Sequence, residues 1–252
     1  MSLLSVNNLG VARRKRDIFR NVSFNVGSGE FVGLIGPNGA GKTTLMRAAL
    51  GLISATGHSN LASLDPELRA LKAAWMPQAR EVVWPVSVET LVAIGRIPYL
   101  PAGSKLNQVD QASVDVAIKR MGLEGFRQRI VTRLSGGEQA RVLIARMLAQ
   151  ETPLLMADEP IAGLDPANQI TTMEVFASLA KEGRAVIASL HDLGLAVRHC
   201  TRLILLGEYG VVADGSPTEV LIPENLARIF GVTAWYEQTP QGAVYQPLEV
   251  IG

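Results

Sequence analysis

The chain has 252 residues, long enough for one large domain or two small ones and for a substantial core. Its residues are 48% hydrophobic, yet the uninterrupted apolar runs, such as Leu203–Leu206, are far too short to cross a bilayer, so the chain is not itself a channel. A formal net charge of +1 supplies no global attraction to nucleic acid or anionic lipid.

At the amino end, Met1–Val6 is apolar but brief, and Arg13–Arg16 follow it, which reverses the charge-then-apolar order of a secretory signal. The expectation is a cytoplasmic chain. Cys200 has no second cysteine to pair with, which suits a reducing compartment, and it reads as a small buried hydrophobe. Leu3–Val11 and Ile18–Val26 read as strands of an antiparallel portion, with Gly27–Gly29 as a turn and Arg13-Arg14-Lys15-Arg16 as a solvated hairpin tip. Phe31–Ile35 is a continuous apolar run, and Thr43–Gly51 sets Leu45, Met46 and Leu50 at helical spacing.

Between that strand and that helix stands Gly36-Pro37-Asn38-Gly39-Ala40-Gly41-Lys42-Thr43, which fits G-x-x-x-x-G-K-[ST] at every fixed position. Glycines let the loop turn its backbone N–H groups inward on phosphate oxygens, and the helix adds its positive dipole end. Lys42 would reach the β- and γ-phosphates, Thr43 would offer its hydroxyl to Mg²⁺, and Thr44 completes the nucleotide-binding set. By average residue usage the pattern arises by chance in roughly one such chain in a hundred.

From about Ala79 to Gln150 the texture turns helical, over Val88–Ile94, Gln111–Met121 and Glu138–Ala149, with no convincing strand between them. This reads as a helical subdomain, 79–150, inserted into an α/β core of 1–78 and 151–224 within one domain. The core resumes as strand Leu154–Ala157, helix Asn168–Lys181, strand Ala185–Leu190, helix Leu193–Arg198 and strand Arg202–Leu206. Such alternation implies a mainly parallel sheet with right-handed crossovers. Asn225–Gly252 reads as a small appended element, and there is no internal repeat.

The strand at Leu154 delivers Asp158 to its carboxyl end, where a carboxylate can hold Mg²⁺, and Glu159 follows, placed to polarise an attacking water as general base. Two solvated acids before Pro160 would look the same in isolation. His58 and His199 read as satisfied structural histidines. His191 differs, because it follows an apolar strand as Gly36 and Asp158 do, and open α/β sheets bind ligands beyond the carboxyl ends of their strands. There it can contact the γ-phosphate.

Leu134-Ser135-Gly136-Gly137-Glu138-Gln139 resembles the signature sequence of ABC ATPases, a string expected by chance on the order of once in 10⁵ such chains. Ser135 and the amides of Gly136 and Gly137, opening a helix that includes Glu138, form a second anion-binding end. The resemblance covers nearly the whole chain and implies the P-loop ATPase fold of that type: a mainly parallel sheet, an antiparallel β portion and a helical subdomain. It further implies that ATP and Mg²⁺ are bound, and that two copies pair head to tail, each ATP lying between one Gly36 loop and the other copy's Ser135. Gln78, after Trp75-Met76-Pro77, matches the glutamine that contacts the metal and γ-phosphate. Gly163-Leu164-Asp165 matches a loop that crosses the dimer interface, although Asp165 alone could be a helix N-terminal acid. Arg13 stands where an aromatic ring usually stacks on adenine; a guanidinium plane can take that place, and equally Arg13 can face solvent.

Ser87–Tyr99 is similar to the corresponding stretch in importers of iron–siderophore complexes, haem and cobalamin, with zinc or manganese importers as the nearest alternative. The resemblance thus implies an ATPase on the cytoplasmic face of the inner membrane. Its implied partners are integral permease subunits and, indirectly, a periplasmic binding protein, with no nucleic acid. A soluble ABC ATPase of DNA repair or translation would carry two cassettes, coiled coils or basic arms, and none is present. A non-hydrolysing regulator would lack Glu159 and His191.

Overall fold

The computed structural model describes residues 2–14, 16–78, 82–240 and 242–251. Lys15 of the basic cluster and Ala79, where the helical segment is expected to begin, lie outside them. Strands β1 (Ser2–Arg13) and β2 (Arg16–Gly27) pair antiparallel and bury alternate residues, Leu4 and Val6 on one and Val22, Phe24 and Val26 on the other. After them β3 (Phe31–Ile35), buried along its whole length, leads into helix α1 (Lys42–Ala49). The chain then returns as β4 (Thr56–Ser59) to pair with the free edge of β1.

Beyond α2 (Pro66–Lys72), which buries none of its residues, β5 (Ala73–Met76) opens the larger sheet. The helical segment follows as α3 (Val88–Ala93), a 3-10 turn Ile94–Tyr99 containing Pro98, α4 (Gln108–Arg120) and α5 (Gly136–Ala149). Its inner ends are tied by a buried pair. Arg96 Nε donates to Asp110 at 3.0 Å, and Arg96 Nη1 donates to Glu151 and to the Ala149 carbonyl, each at 2.9 Å.

β6 (Leu154–Ala157), α6 (Pro166–Lys181), β7 (Ala185–Ser189), α7 (Leu193–His199) and β8 (Arg202–Gly207) complete the alternating part. With the edge strand β9 (Gly210–Gly215), the sheet order is β5-β6-β7-β3-β8-β9, parallel except for the β8–β9 pair. The central strands β3, β6 and β7 are buried along their whole length on both faces, as parallel strands between layers must be. Phe31, Ile35, Leu155, Val186 and Leu203 pack into one core with α3 to α7, while Val32, Leu34, Met156, Ile187 and Ile204 face a second core under the β1–β2–β4 sheet and α1. The period-2 alternation of single strands therefore builds both layers.

Two short helices, α8 (Pro217–Val220) and α9 (Pro223–Asn225), and a π-helical turn at Leu226–Phe230 lead to a hairpin of β10 (Val232–Thr239) and β11 (Gly242–Val250). This is the appended element, and β11 packs on α7 with Tyr245 buried. No helix among the described residues is long and apolar enough to cross a membrane.

Two readings of single residues need correction. His199 is not satisfied: its Nε2 is buried without a hydrogen-bond partner, and burial lowers its pKa. His58 lies exposed on β4, with only Ser63 Oγ at 3.5 Å from its Nδ1. Cys200 is buried as expected, and desolvation holds its thiol far above the usual range.

Candidate nucleotide site

β3, β6 and β7 lie side by side, so the segments leaving their carboxyl ends meet at one edge of the sheet. From β3 comes the loop Gly36–Gly41. Gly36, at φ 147°, passes so close to the next strand that a Cβ there would collide with the Leu206 carbonyl. Gly41 caps α1 in the left-handed region at φ 95°, and no side chain hydrogen-bonds to the helix start. The first-turn N–H groups of α1, with no acidic residue among them, are left to a ligand.

Lys42 is 7% exposed. Its Nζ donates to the carbonyls of Gly36 at 2.8 Å and Pro37 at 3.1 Å. Burial lowers its pKa, opposed by the charges of Glu159 and Asp158. From β6 come those two acids. Asp158 Oδ1 accepts from Ser189 Oγ at 2.6 Å, and the Asp158 N–H donates to the Met76 carbonyl at 2.9 Å. Glu159 sits at φ 48°, a strained conformation for this residue type, and its N–H donates to the same Ser189 Oγ at 2.7 Å. From beyond β7 comes His191, whose Nε2 lies 2.8 Å from Glu159 Oε1.

Ser189 is a candidate site residue that sequence reasoning missed. It is the one polar side chain in Ala185–Ser189 and is fully buried, so its hydroxyl must find partners, and it finds both acids. A lone serine at the end of an apolar strand, two residues before His191, was the available signal.

A cavity of about 380 Å³ gathers Lys42, Thr43, Thr44, Gln78, Glu159 and His191 with Asn38, Gly39 and Gly41 of the loop. A neighbouring one is lined by Thr43, Gln78 and Asp158. Asp158 Oδ2, buried, has no hydrogen-bond partner among the described residues. A buried carboxylate oxygen without a donor, beside a hydroxyl and an amide, is the hard oxygen set that Mg²⁺ takes. No group of three or more His, Cys, Asp or Glu is placed to hold a metal among the described residues, which suits an ion that keeps waters and phosphate oxygens.

Arg13 is apart from the phosphate cavity but lines the next one, with Pro37, Asn38, Gly39 and Ala40. The signature residues are not brought to the loop. No residue from Ser135 to Glu138 lines either phosphate cavity, and Ser135 instead caps α5: its Oγ accepts from Glu138 N–H at 3.3 Å, while Glu138 Oε2 accepts from Ser135 N–H at 2.7 Å. That backbone donor holds the Glu138 pKa below the usual carboxylate range. Asp165 likewise caps α6, accepting from Asn168 N–H at 2.9 Å, which gives it a structural task in the single chain.

The family model described as ABC transporter matches residues 19–162, more than half of the chain. The chain belongs to the ABC transporter family. Its fold is the ABC ATPase fold. Two relatives are named cobalamin import ATP-binding protein BtuD, from strains of Halobacterium salinarum; each is 41% identical over 235 residues, 90% of this chain. The chain spans only 58% of their length. It spans 92% of the manganese transport system ATP-binding protein MntB of Halalkalibacterium halodurans at 34% identity, with 90% of this chain covered. It spans 96% of the hemin import ATP-binding protein HmuV of Pseudomonas fluorescens at 36% identity, with 95% covered. Among solved structures, an inward-facing conformation of a metal-chelate type ABC transporter superposes with a TM-score of 0.86 at 26% identity, covering 99% of this chain and 98% of that one. A dimeric post-hydrolysis ATP-binding cassette bound to ADP and Pi gives 0.74 at 25% identity, covering 85% and 98%.

Proposed function

We propose that this chain binds MgATP on Gly36–Thr44, hydrolyses it with Glu159 as general base, and works in a site completed by Ser135–Glu138 of a second copy. One observation carries the reading. The uncapped start of α1, the Lys42 ammonium and the Glu159–His191 pair all face one cavity. Lys42 has two neutral carbonyls as partners, and a phosphate displaces them by charge.

In the reaction, the Glu159 carboxylate takes a proton from water as the water oxygen attacks the terminal phosphorus, the bond from that phosphorus to the β,γ-bridging oxygen breaks, and ADP leaves with the bond's electron pair while phosphate is released. His191 Nε2, 2.8 Å from Oε1, holds that carboxylate in place at the cavity. Ser189 fixes both acids through one hydroxyl. Thr43, Asp158 and Gln78 would hold Mg²⁺, which would supply charge neutralisation on the phosphate oxygens. A second copy is called for because the α5 start, an anion-binding end, lies outside the phosphate cavities of its own chain. Asp165 would then serve the interface as well as its own helix.

As an ABC subunit the pair would drive import through membrane permease subunits at the cytoplasmic face of the inner membrane, with a periplasmic binding protein upstream. Cargo of the iron–siderophore, haem or cobalamin type is supported by relatives named for cobalamin and hemin import and by the metal-chelate transporter structure. The manganese relative supports a second reading, a manganese or zinc importer.

Glu159→Gln tests the catalytic part. The amide keeps the size and hydrogen bonding of the carboxylate but loses its basicity. On size-exclusion chromatography with ATP the mutant should run as a lasting dimer, and the parent as a transient one. Turnover at the parental rate would remove Glu159 from the mechanism, and a mutant that stays monomeric with saturating MgATP would deny that ATP drives closure.

A further inference from the structure

Past Ile18, Asn38 and Gly39 the phosphate cavity continues into a second, of about 730 Å³, between the basic hairpin tip and the turn joining β8 to β9. Any nucleotide whose phosphates lie on the loop has this space beside them for its base. The hairpin brings Arg13, Arg14, Arg16 and Asp17 to it, and no ring. The turn brings Tyr209, the one aromatic side chain among the described lining residues.

Tyr209 is held in an unusual way. Its φ is 71°, in the left-handed region where a bulky side chain is a genuine outlier, and glycines stand close by at 207 and 210. The turn is fastened to β2: the Arg20 N–H donates to the Tyr209 carbonyl at 2.9 Å, and Phe19 bridges to Tyr209. On the side-chain side, Arg20 Cζ is 5.8 Å from the ring centroid, and the hydroxyl bonds to Glu208 and Arg16, Glu208 pushing its pKa up. The ring remains 39% exposed. A strained backbone thus fixes a partly exposed tyrosine at the edge of a cavity that Arg13, Arg14 and Arg16 also line. Strain of this kind persists where the surroundings enforce it, and it collects at ligand sites.

We propose that Tyr209 is the base-contacting residue of the nucleotide site, its ring stacking on adenine, with Arg16 bonded to the Tyr209 hydroxyl and Arg13 lining the same cavity. The inference rests on the ATP reading above. It accounts for a hairpin without an aromatic residue at position 13, because the flat π partner that a base requires comes from the β8–β9 turn. The guanidinium planes serve the base and its ribose and phosphate edge.

Calorimetry with MgATP and with inorganic tripolyphosphate, on the parent, Tyr209→Ala, Tyr209→Phe and Tyr209→Gly, tests it. Tyr209→Ala should lose about 5- to 150-fold in ATP affinity, the span that ~1–3 kcal/mol of base stacking allows, and hold tripolyphosphate as the parent does. Tyr209→Phe should keep the ATP affinity. Tyr209→Gly suits the left-handed backbone, so it should melt no lower than the parent and still lose ATP affinity like Tyr209→Ala, which separates the missing ring from a damaged turn. ATP affinity unchanged in Tyr209→Ala overturns the inference. A parent that binds ATP no better than tripolyphosphate also overturns it and leaves the phosphate site standing. A parent that binds neither overturns the phosphate site itself.

Discussion

At the scale of single residues the site sets the buried Lys42, Asp158 and Ser189 beside the more open Glu159 and His191. Lys42→Ala removes a charge-assisted hydrogen bond worth about 1.5–3 kcal/mol, so MgATP affinity measured by calorimetry should fall roughly 10- to 150-fold. Ser189→Ala should leave ATP affinity close to parental while lowering kcat by about 10- to 100-fold, the usual cost of losing the partner of a ligating carboxylate. Its second readout is the Mg²⁺ concentration at half-maximal turnover, which should rise because Asp158 Oδ1 then lacks its donor. A serine that only fills the strand end would leave that concentration unchanged.

At this scale the sequence was readable wherever a chemical requirement forces residue type and spacing together. Gly36, Lys42, Asp158 and Glu159 could be singled out as candidates, because the phosphate loop and metal-binding acid proposed here would tolerate few alternatives. Ser189 and Tyr209 could not. In the proposed site each would act through where the fold carries it, a serine between neighbouring strands and a tyrosine on a turn hydrogen-bonded to β2, and neither pairing is local in sequence.

The elements divide in the same way. Long periodic segments such as α4 and α5, and continuous apolar strands such as β3 and β7, are legible because burial on one or two faces fixes the pattern. β4 and β5 have four residues each, too few for a period, and α2 buries nothing, so it carries no apolar stripe to read. β10 and β11 alternate weakly because most of their residues stay exposed.

The link between elements makes its own prediction. Arg96 and Asp110 are almost fully enclosed, with 5% and 3% of their side chains exposed. Asp110→Ala takes away the enclosed carboxylate at Arg96 Nε and leaves the guanidinium only the half-exposed Glu151 and the Ala149 carbonyl, whereas replacing the pair by Met and Leu leaves no buried guanidinium. The melting temperature should therefore drop more in the single variant than in the double one. A larger drop in the double variant would assign the pair a net stabilising role that burial does not supply.

For the whole molecule, the half-buried imidazole of His199 sets a pH dependence. Its folded pKa lies below the ordinary His value of about 6.5, so the unfolded chain binds this proton more readily. Stability from this group is complete above about pH 7 and is lost as the pH falls through 6.5 toward the folded pKa. Denaturant titrations between pH 7.5 and 5.5 should show a midpoint that declines with acid, and His199→Gln should flatten the decline over that window, roughly centred on the imidazole pKa.

The largest claim at this scale is that one chain holds only half of the working site, the phosphate loop at one place and the α5 anion end at another. Mixing two inactive variants tests it most directly. Lys42→Ala disables the loop, and Ser135→Arg sets a bulky cation where the other copy's γ-phosphate would lie while leaving its own loop intact. Head-to-tail pairing gives each mixed dimer one damaged site carrying both substitutions and one site with neither. Phosphate release, absent from either variant alone, should therefore return on mixing. If mixed dimers demonstrably form and no turnover returns, each chain's loop and signature do not serve opposite copies, and the two-chain site is wrong.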